Sequence, residues 1–382
     1  MRIDSVTNNK LDVFIYCRDP AVLQKRIFER TRNKYKFSLS GVFYDVTNTY
    51  LYGKKCPFGK PGHDKDGAKG RPLIQIGLGV SKDRGFPLFH KVFDGNIHDA
   101  RTLQDLISEM KSYQVKSSLF VFDRGISSAK NISDIKKLRC HVLCGLPLRQ
   151  GLKSKVKKLI AHNEFISLEN RVSLNKTIFY VLDMPYEIQG VKGTLAVCFN
   201  EQQRKDLRES RYDELLNVQP LVKKGKPIKR GLGKFFSKSG TIKKSVVAES
   251  QEFDGYSCIF CTKFLSKQEM VFLYFDKDLV EKAFRTIKGI TRLQPIRHWL
   301  YNRVKAHVFI CYLSYLLLSS LRSHLGKLCI SPETALKELS TMYKVYMRDS
   351  KNRFKLSRVV TMSKRQEEIL KAVSPKLLKP SV

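Results

Sequence analysis

The stretch from Leu119 to Gly125, with the sequence LFVFDRG, is the segment on which the fold prediction depends. Its four apolar residues predict a short strand that is buried on both faces, as the central strand of a sheet is. The strand ends on Asp123. A second segment, from Val42 to Thr47 with the sequence VFYDVT, has a similar form and is ended or interrupted by Asp45. Two predicted strands therefore each carry an aspartate.

The sequence between and after these segments predicts further strands and helices. Residues 74–80 alternate between apolar side chains and polar or glycine positions, which is typical of a strand. The turn residues at 83–85 then lead into a second strand at 86–93. The remaining predicted elements are a helix at 99–110, a helix at 131–138 and a strand at 142–146. The predicted order is three strands, a helix, a strand, a helix and a strand.

The stretch from Tyr274 to Lys288 is predicted to form a helix that carries a glutamate between two bases. At 100° per residue, Tyr274, Lys277, Glu281 and Lys288 project onto one narrow stripe of that helix. Two strand-borne aspartates and a helix-borne glutamate suit Mg²⁺, because this hard cation binds carboxylate oxygens held by rigid elements. Taken alone, each acid is more typical of a turn, a helix cap or a surface ion pair than of a catalytic site. The three together predict a metal site for phosphoryl transfer.

The charge of the chain indicates a polyanionic partner. It has 71 Lys and Arg against 35 Asp and Glu, for a formal net charge of +36 on 382 residues. Nucleic acid is the first interpretation, and a membrane surface is the alternative. The only long apolar run, His307–Leu321, is too short to span a bilayer and predicts a buried core helix. The N-terminus shows no signal pattern. We therefore expect a cytoplasmic protein with no membrane partner.

Read in order, these segments resemble the DDE (Asp-Asp-Glu) transposases of bacterial insertion sequences, in particular the group named after insertion sequence four. The signature of that group is Tyr, two residues, Arg, three residues, Glu, six residues and Lys. Here the spacing is intact, but Lys277 replaces the arginine. Further stretches that resemble family motifs are Phe93–Asp99 (FDGNIHD), Asp123–Gly125 (DRG), Glu281–Arg285 (EKAFR), and Arg297–Trp299 (RHW) with Arg303–Phe309 (RVKAHVF).

The resemblance implies a fold and a division into domains. The fold is α/β and ribonuclease-H-like, a mixed sheet with flanking helices that a β-rich insertion domain interrupts. Members usually carry a larger N-terminal domain for recognising element ends than the short segment before Asp45. The implied domains are an N-terminal segment (1–40), the first part of the catalytic core (41–146), the β-rich insertion domain with a basic loop (147–262), the second part of the core with the glutamate helix (263–325) and a basic C-terminal tail (326–382).

The resemblance also implies the chemistry. Asp45, Asp123 and Glu281 would bind two Mg²⁺ ions, for which Mn²⁺ would substitute, and these would support metal-dependent strand cleavage and strand transfer at the element's ends. Tyr274, Lys277, Lys288 and Arg124 would contact DNA. The partner would be double-stranded DNA, as transposon ends and target, bound by a homodimer. The protein would work in the bacterial cytoplasm, associated with the nucleoid.

A basic stretch within the implied insertion domain is a second candidate for DNA binding. Residues 222–244 contain nine Lys and Arg and no acid. A solvated loop is one interpretation. Because Phe235 and Phe236 are interleaved with the cations, a flexible segment that grips DNA is favoured. Its candidate residues are Lys223, Lys224, Lys226, Lys229 and Arg230. The tail after Tyr343 is also basic, and we expect part of it to be disordered.

Two other functions stay open at the level of sequence. A metal-dependent nuclease of the same fold needs the same carboxylates but performs no strand transfer. A transposase-derived protein that binds DNA without catalysis is the second alternative, and the loss of an acid would be its mark. The sequence retains all three acids.

Overall fold

The computed structural model describes residues 20–62, 70–110, 113, 115, 117–162, 164–348, 355–359 and 361–378. The chain forms two compact units. The first comprises Met1–His98 and Asp278–Val382, and the second comprises Asp99–Lys277. Parts of the predicted N-terminal segment and of the predicted basic tail lie outside the described residues. The predicted domain boundaries stay a prediction.

The helices and strands follow one another along the whole chain. In chain order the strands are β1 (Gly41–Tyr50), β2 (Leu73–Ser81), β3 (Pro87–Asp94), β4 (Leu119–Phe122), β5 (His141–Leu146), β6 (Arg171–Leu174), β7 (Thr177–Ile188), β8 (Val191–Phe199), β9 (Tyr256–Cys261), β10 (Lys344–Arg348) and β11 (Lys355–Val359). The helices are α1 (Pro20–Tyr35), α2 (Asp99–Met110), α3 (Ala129–Lys137), α4 (Gln150–His162), α5 (Glu201–Lys223), α6 (Lys244–Ser250), α7 (Lys267–Phe275), α8 (Asp278–Gly289), α9 (Tyr301–Leu325), α10 (Pro332–Leu339) and α11 (Lys364–Val373).

The first unit contains an antiparallel meander of β1, β2 and β3. The turn between β2 and β3 places Arg84 and Gly85 at φ values of 64° and 65°, the left-handed conformation that a tight hairpin turn uses. The predicted hairpin is confirmed. Asp45 lies in the middle of β1 and pairs with Leu78, rather than at the strand's end. The strand continues because the residues after Asp45 are mostly β-branched or aromatic.

Helix α9 packs against the meander of the first unit. The hydroxyls of Tyr312 and Tyr315 donate hydrogen bonds of 3.2–3.3 Å to main-chain oxygens of β3 and of the turn before it. By length and composition the stretch Tyr301–Leu328 could cross a membrane, but most of it is buried inside the fold. The prediction of a buried core helix is confirmed, and the helix is longer than the apolar run that predicted it.

The C-terminal part of the chain contains helices and a strand hairpin. Within the described residues, Leu325, Ala335 and Ile369 form an apolar cluster that joins α9, α10 and α11. Strands β10 and β11 pair as an antiparallel hairpin. Ile369 gives α11 the apolar side chain that completes this small core. The expectation that part of the tail after Tyr343 is disordered stays a prediction.

The second unit contains a mixed sheet of six strands in the order β4, β5, β9, β8, β7, β6. Only β4 and β5 are parallel, and α3 connects them. The other neighbours are antiparallel. Helix α7 packs against this sheet. A mixed α/β fold is therefore confirmed, and most of its strand pairs are antiparallel.

The basic stretch at 222–244 forms a folded helical region. Helix α5 continues to Lys223, and α6 begins at Lys244. Between them Phe235 and Phe236 are buried, in a cluster with Leu215, Leu232 and Val247. The prediction of a flexible segment around Phe235 and Phe236 is wrong, because these two rings form the apolar core around which this region folds.

Candidate catalytic site

Two of the three predicted acids lie in the first unit. Asp45 is partly buried in β1, and Glu281 is exposed in the first turn of α8. The buried side chains of Val280, Phe284 and Ile287 form the apolar face of α8, as predicted. Helix α8 packs against β1 and β2. The strand that carries Asp45 and the helix that carries Glu281 are therefore neighbours in the core of this unit.

The prediction of one helix from Tyr274 to Lys288 is wrong. Helix α7 ends at Phe275, two residues form a turn, and α8 begins at Asp278. A carboxylate is favourable at a helix N-terminus, where it faces the positive end of the helix dipole. Asp278 also pairs with Lys282 at 2.6 Å, one helical turn further on. The break leaves Tyr274 in the second unit, while Glu281 and Lys288 share α8.

In the second unit, the Asp123 cluster consists of Asp123, Arg124, Tyr274, Lys277 and Gly145. The Tyr274 hydroxyl donates a hydrogen bond of 2.7 Å to Asp123 Oδ1. The main-chain N–H of Arg124 donates to the same oxygen at 2.8 Å. Lys277 Nζ lies 3.4 Å from it. Within the cluster, all of these contacts go to Asp123 Oδ1 and none to Oδ2. The carboxylate is therefore held through one oxygen, and its other oxygen is left for a ligand.

These contacts determine the protonation states in the cluster. Burial alone would raise the pKa of Asp123, but the charge of Lys277 and the hydrogen bonds from Tyr274 and Arg124 outweigh it and lower the pKa. Burial raises the pKa of Tyr274, and the neighbouring charge of Asp123 raises it further. The cluster therefore contains an ionised carboxylate and a neutral phenol that donates to it.

The absence of a side chain at Gly145 leaves the space that the Tyr274 ring occupies. Gly145 lies on β5, and a Cβ atom there would lie 2.3 Å from Tyr274 Oη, 3.1 Å from its Cζ and 3.3 Å from Arg124 Cβ. Contacts below 3.0 Å require something to move. Sequence reasoning missed this residue. The available signal was a glycine inside a predicted strand, which often marks a close approach of another group.

The turn after Asp123 is held by a buried amide. The side-chain amide of Asn131 donates hydrogen bonds of 2.8 Å to the main-chain oxygens of Ala100 and Ile126. Ser128 caps α3 by accepting from the Asn131 N–H. The Ile126 N–H donates to Asp123 O at 3.1 Å. The loop that carries Asp123 is thus tied to the start of α2 as well as to α3.

In each unit separately, the predicted acids have the donor chemistry that a hard divalent cation prefers. Asp123 supplies an ionised carboxylate with one oxygen outside the cluster's hydrogen bonds, and Asp45 and Glu281 supply carboxylates on neighbouring elements of the first unit. Across the residues that the structure describes, no group of three or more His, Cys, Asp or Glu side chains forms a metal-binding cluster.

The predicted DNA-binding residues fall into three settings. Tyr274 and Lys277 are engaged with Asp123, and Lys288 is partly buried on α8. Arg124 is exposed in the turn after β4. The candidates at the end of α5 and beyond it are all exposed, namely Lys223, Lys224, Lys226, Lys229 and Arg230. Lys229 pairs with Glu214 at 3.2 Å.

Comparison with known proteins identifies the family. A family model described as a transposase DDE domain matches residues 36–317. A search of curated protein sequences gave no significant match. Among solved structures, the chain is similar to the piggyBac transposase in its synaptic complex with hairpin DNA, with 10% identity, a TM-score of 0.39 and coverage of 100% of this chain and 67% of that chain. It is also similar to the Mos1 mariner paired end complex with Mn, with 17% identity, a TM-score of 0.19 and coverage of 38% and 50%.

The family match covers most of the chain and includes all three predicted acids. Members of this family catalyse DNA cleavage and strand transfer and use divalent metal ions. The chain therefore belongs to the DDE transposase domain family.

Proposed function

We propose that the protein is the transposase of a bacterial insertion sequence, from the group named after insertion sequence four, and that it cleaves DNA at the ends of its element and joins them to a target. The observation that carries the proposal is the Asp123 cluster, in which a phenol, a main-chain amide and a lysine converge on one oxygen of a predicted catalytic acid. The spacing of Tyr274, Lys277, Glu281 and Lys288, with lysine in place of arginine, supports the group assignment.

The proposed catalytic residues are Asp45, Asp123 and Glu281, which together would bind two Mg²⁺ ions, with Mn²⁺ as a substitute. Bound metal ions would supply charge neutralisation and activation of the attacking oxygen in an in-line displacement at phosphorus. Tyr274 and Lys277 orient Asp123 and keep it ionised. A carboxylate fixed by one oxygen binds a metal with the other at little cost in conformational entropy.

A ribonuclease-H-like core is part of the proposal. Its support is the agreement of the observed elements with the predicted order: an antiparallel meander of three strands, a helix, β4, a helix and the parallel strand β5. The aspartates lie on β1 and directly after β4, the first and fourth strands of that order.

The proposed partner is double-stranded DNA, bound as transposon ends and target by a homodimer in the bacterial cytoplasm, in association with the nucleoid. The net charge of +36 supports a polyanionic partner. Arg124 and Lys288 would contact phosphates near the catalytic acids. The exposed cations between 223 and 230 would hold the DNA further away, through the phosphate backbone rather than through stacking.

The test is metal-dependent cleavage and joining of DNA that carries the terminal repeats flanking the gene. Wild type is compared with Glu281→Gln and with Glu187→Gln, a matched control that removes the same charge from an exposed position on β7. We expect Glu281→Gln to lose at least about 100-fold in rate at unchanged DNA affinity, since it removes a metal ligand, and Glu187→Gln to stay active.

Each outcome of this experiment separates the candidate functions. Metal-dependent joining that Glu281→Gln abolishes supports a transposase. Cleavage without joining by the wild type would instead identify a nuclease. DNA binding with no cleavage by any of the three proteins would contradict the catalytic proposal and leave a DNA-binding protein.

A further inference from the structure

Two acid-free segments of the first unit come together beside β1. Neither residues 46–62 nor residues 282–332 contain an Asp or Glu. The segments are joined through the main chain, because the Tyr52 N–H donates to Ile296 O at 2.8 Å and Leu51 bridges to Ile296. The surface that they form therefore has cations and no acid from either segment.

This surface exposes large aromatic side chains. Trp299, the single tryptophan of the chain, is 55% exposed, Tyr52 is 71% exposed and Tyr301 is 44% exposed. Aromatic side chains of this size contribute strongly to stability when they are buried. Three of them exposed on two segments that contribute no acid therefore point to a ligand rather than to the needs of the fold.

The aromatic rings are arranged with cations beside them. The rings of Phe58 and Tyr301 stack with centroids 4.2 Å apart and an interplanar angle of 18°. Lys305 Nζ lies 4.1 Å from the Tyr301 centroid. Next to this stack, Trp299 lines a cavity of about 130 Å³ together with Arg297, His298, Leu300 and Arg303. Aromatic rings and positive charges therefore lie beside one another around Tyr301 and Trp299.

We propose that this surface, which we call the Trp299 surface (Tyr52, Arg297, Trp299, Tyr301, Arg303 and Lys305), binds unpaired bases of single-stranded DNA. Base faces stack on aromatic rings, and the strand's phosphates need cations, so single-stranded DNA meets both features. In duplex DNA the base faces are already stacked on one another and are closed to such rings. A protein partner fits less well, because the surface has many cations and no acid from its two segments. The proposal rests on the proposed function insofar as the partner is DNA.

The single tryptophan makes the proposal directly measurable. We would titrate the full-length protein with a 15-nucleotide single strand and with a blunt duplex of the same length, and record Trp299 fluorescence and the anisotropy of labelled DNA in the same samples. The single strand is expected to quench the fluorescence to saturation, and the duplex to bind with much less quenching. Fluorescence reports the Trp299 surface, while anisotropy reports DNA binding anywhere on the protein.

Substitutions then test the surface itself. Trp299→Ala is expected to weaken binding of the single strand about tenfold while duplex affinity changes less than about twofold, since stacking of one base on an aromatic ring accounts for roughly such a factor. Trp299→Phe should recover part of the loss. Phe264→Ala is the matched control, because Phe264 is 97% exposed in the other unit.

Two results would overturn the proposal. One is a single strand that binds by anisotropy without quenching Trp299. The other is a Trp299→Ala protein that keeps its single-strand affinity, or that loses affinity for both DNAs alike. If neither DNA binds the wild type at all, the DNA partner of the proposed function fails as well. If the wild type cleaves DNA with metal but Trp299 fluorescence does not respond to the single strand, the proposed function is retained and only this inference is wrong.

Discussion

At the scale of single residues, the hydrogen bond from Tyr274 to Asp123 requires a glycine at position 145. The Tyr274 ring reaches Asp123 Oδ1 across the Gly145 backbone, in the space that a Cβ atom would fill. A strand position normally favours a larger residue. Here the tight contact with Tyr274 explains why glycine is required.

We predict that Gly145→Ala displaces the phenol and slows cleavage by about 100-fold, the order expected when Asp123, a proposed metal ligand, is misplaced by about 1 Å. Overpacking should also lower the free energy of unfolding by about 1–3 kcal/mol. In a Tyr274→Phe background the closest contact, to Oη, no longer exists, so adding Gly145→Ala should cost little more. Single-turnover cleavage and thermal unfolding of the two single variants and the double variant measure this. If the losses of the two single variants add fully in the double variant, the predicted clash between Gly145→Ala and Tyr274 is wrong.

The charge of Lys277 lowers the pKa of Asp123. The lowered pKa of Asp123 stabilises the folded state above the unfolded-state pKa of about 3.9, and that stabilisation is lost as the pH falls through the lower folded value. In Lys277→Met the pKa of Asp123 should rise towards its unfolded-state value, so this stabilisation should be smaller and its loss should be complete at a higher pH. The carboxyl group is about half exposed, so the effect on stability should be small.

Carboxyl NMR, with the signal assigned by Asp123→Asn, measures this pKa directly. Lys192→Met serves as the control, because it removes one exposed cation from β8 and should leave the titration unchanged. An Asp123 pKa that does not change in Lys277→Met would show that hydrogen bonding, and not the lysine's charge, holds the carboxylate ionised.

At the scale of elements, the break between α7 and α8 decides where the signature residues lie. Residues spaced at multiples of a helical turn share a face only while the helix continues. The turn at 276–277 ends that relation, so Tyr274 and Lys277 reach Asp123 in their own unit. Glu281 and Lys288 keep the common face because both lie on α8.

The basic region at the end of α5 combines a small apolar core with an exposed positive surface. Phe235 and Phe236 stabilise the region from inside, while the cations project outward and are exposed. Stability and DNA affinity should therefore be separable by mutation here. A substitution of an exposed lysine removes charge without opening the apolar cluster.

At the scale of the whole molecule, the excess of cations should appear as a strong salt dependence of DNA binding. We predict that replacing Lys224, Lys226 and Arg230 together with Gln reduces the slope of log affinity against log salt by up to about 3, because each phosphate contact contributes about 0.9. Replacing Lys153, Lys155 and Lys158 on α4 is the matched control. Binding titrations at several salt concentrations measure both slopes. An equal reduction in both variants would show that the 222–244 region has no special part in DNA binding.

The agreement between sequence and structure is closest where the pattern is local. Helix α2 and strand β4 begin and end at the predicted residues, because helical spacing and a short apolar run report burial directly. The course of the chain at Asp45 and Tyr274 was predicted less well. A strand that tolerates a central aspartate and a helix that stops after Phe275 depend on neighbours that no local pattern records.

The sequence by itself determined the family, the three candidate acids and the excess of positive charge, because motif spacing and composition are properties of the chain alone. Only the tertiary structure decided what surrounds those residues. It buried Phe235 and Phe236, placed Tyr274 over Gly145 and left Trp299 exposed. The physical reason is that a side chain's burial and its hydrogen-bond partners come from segments far away in the sequence, and those contacts exist only once the chain has folded.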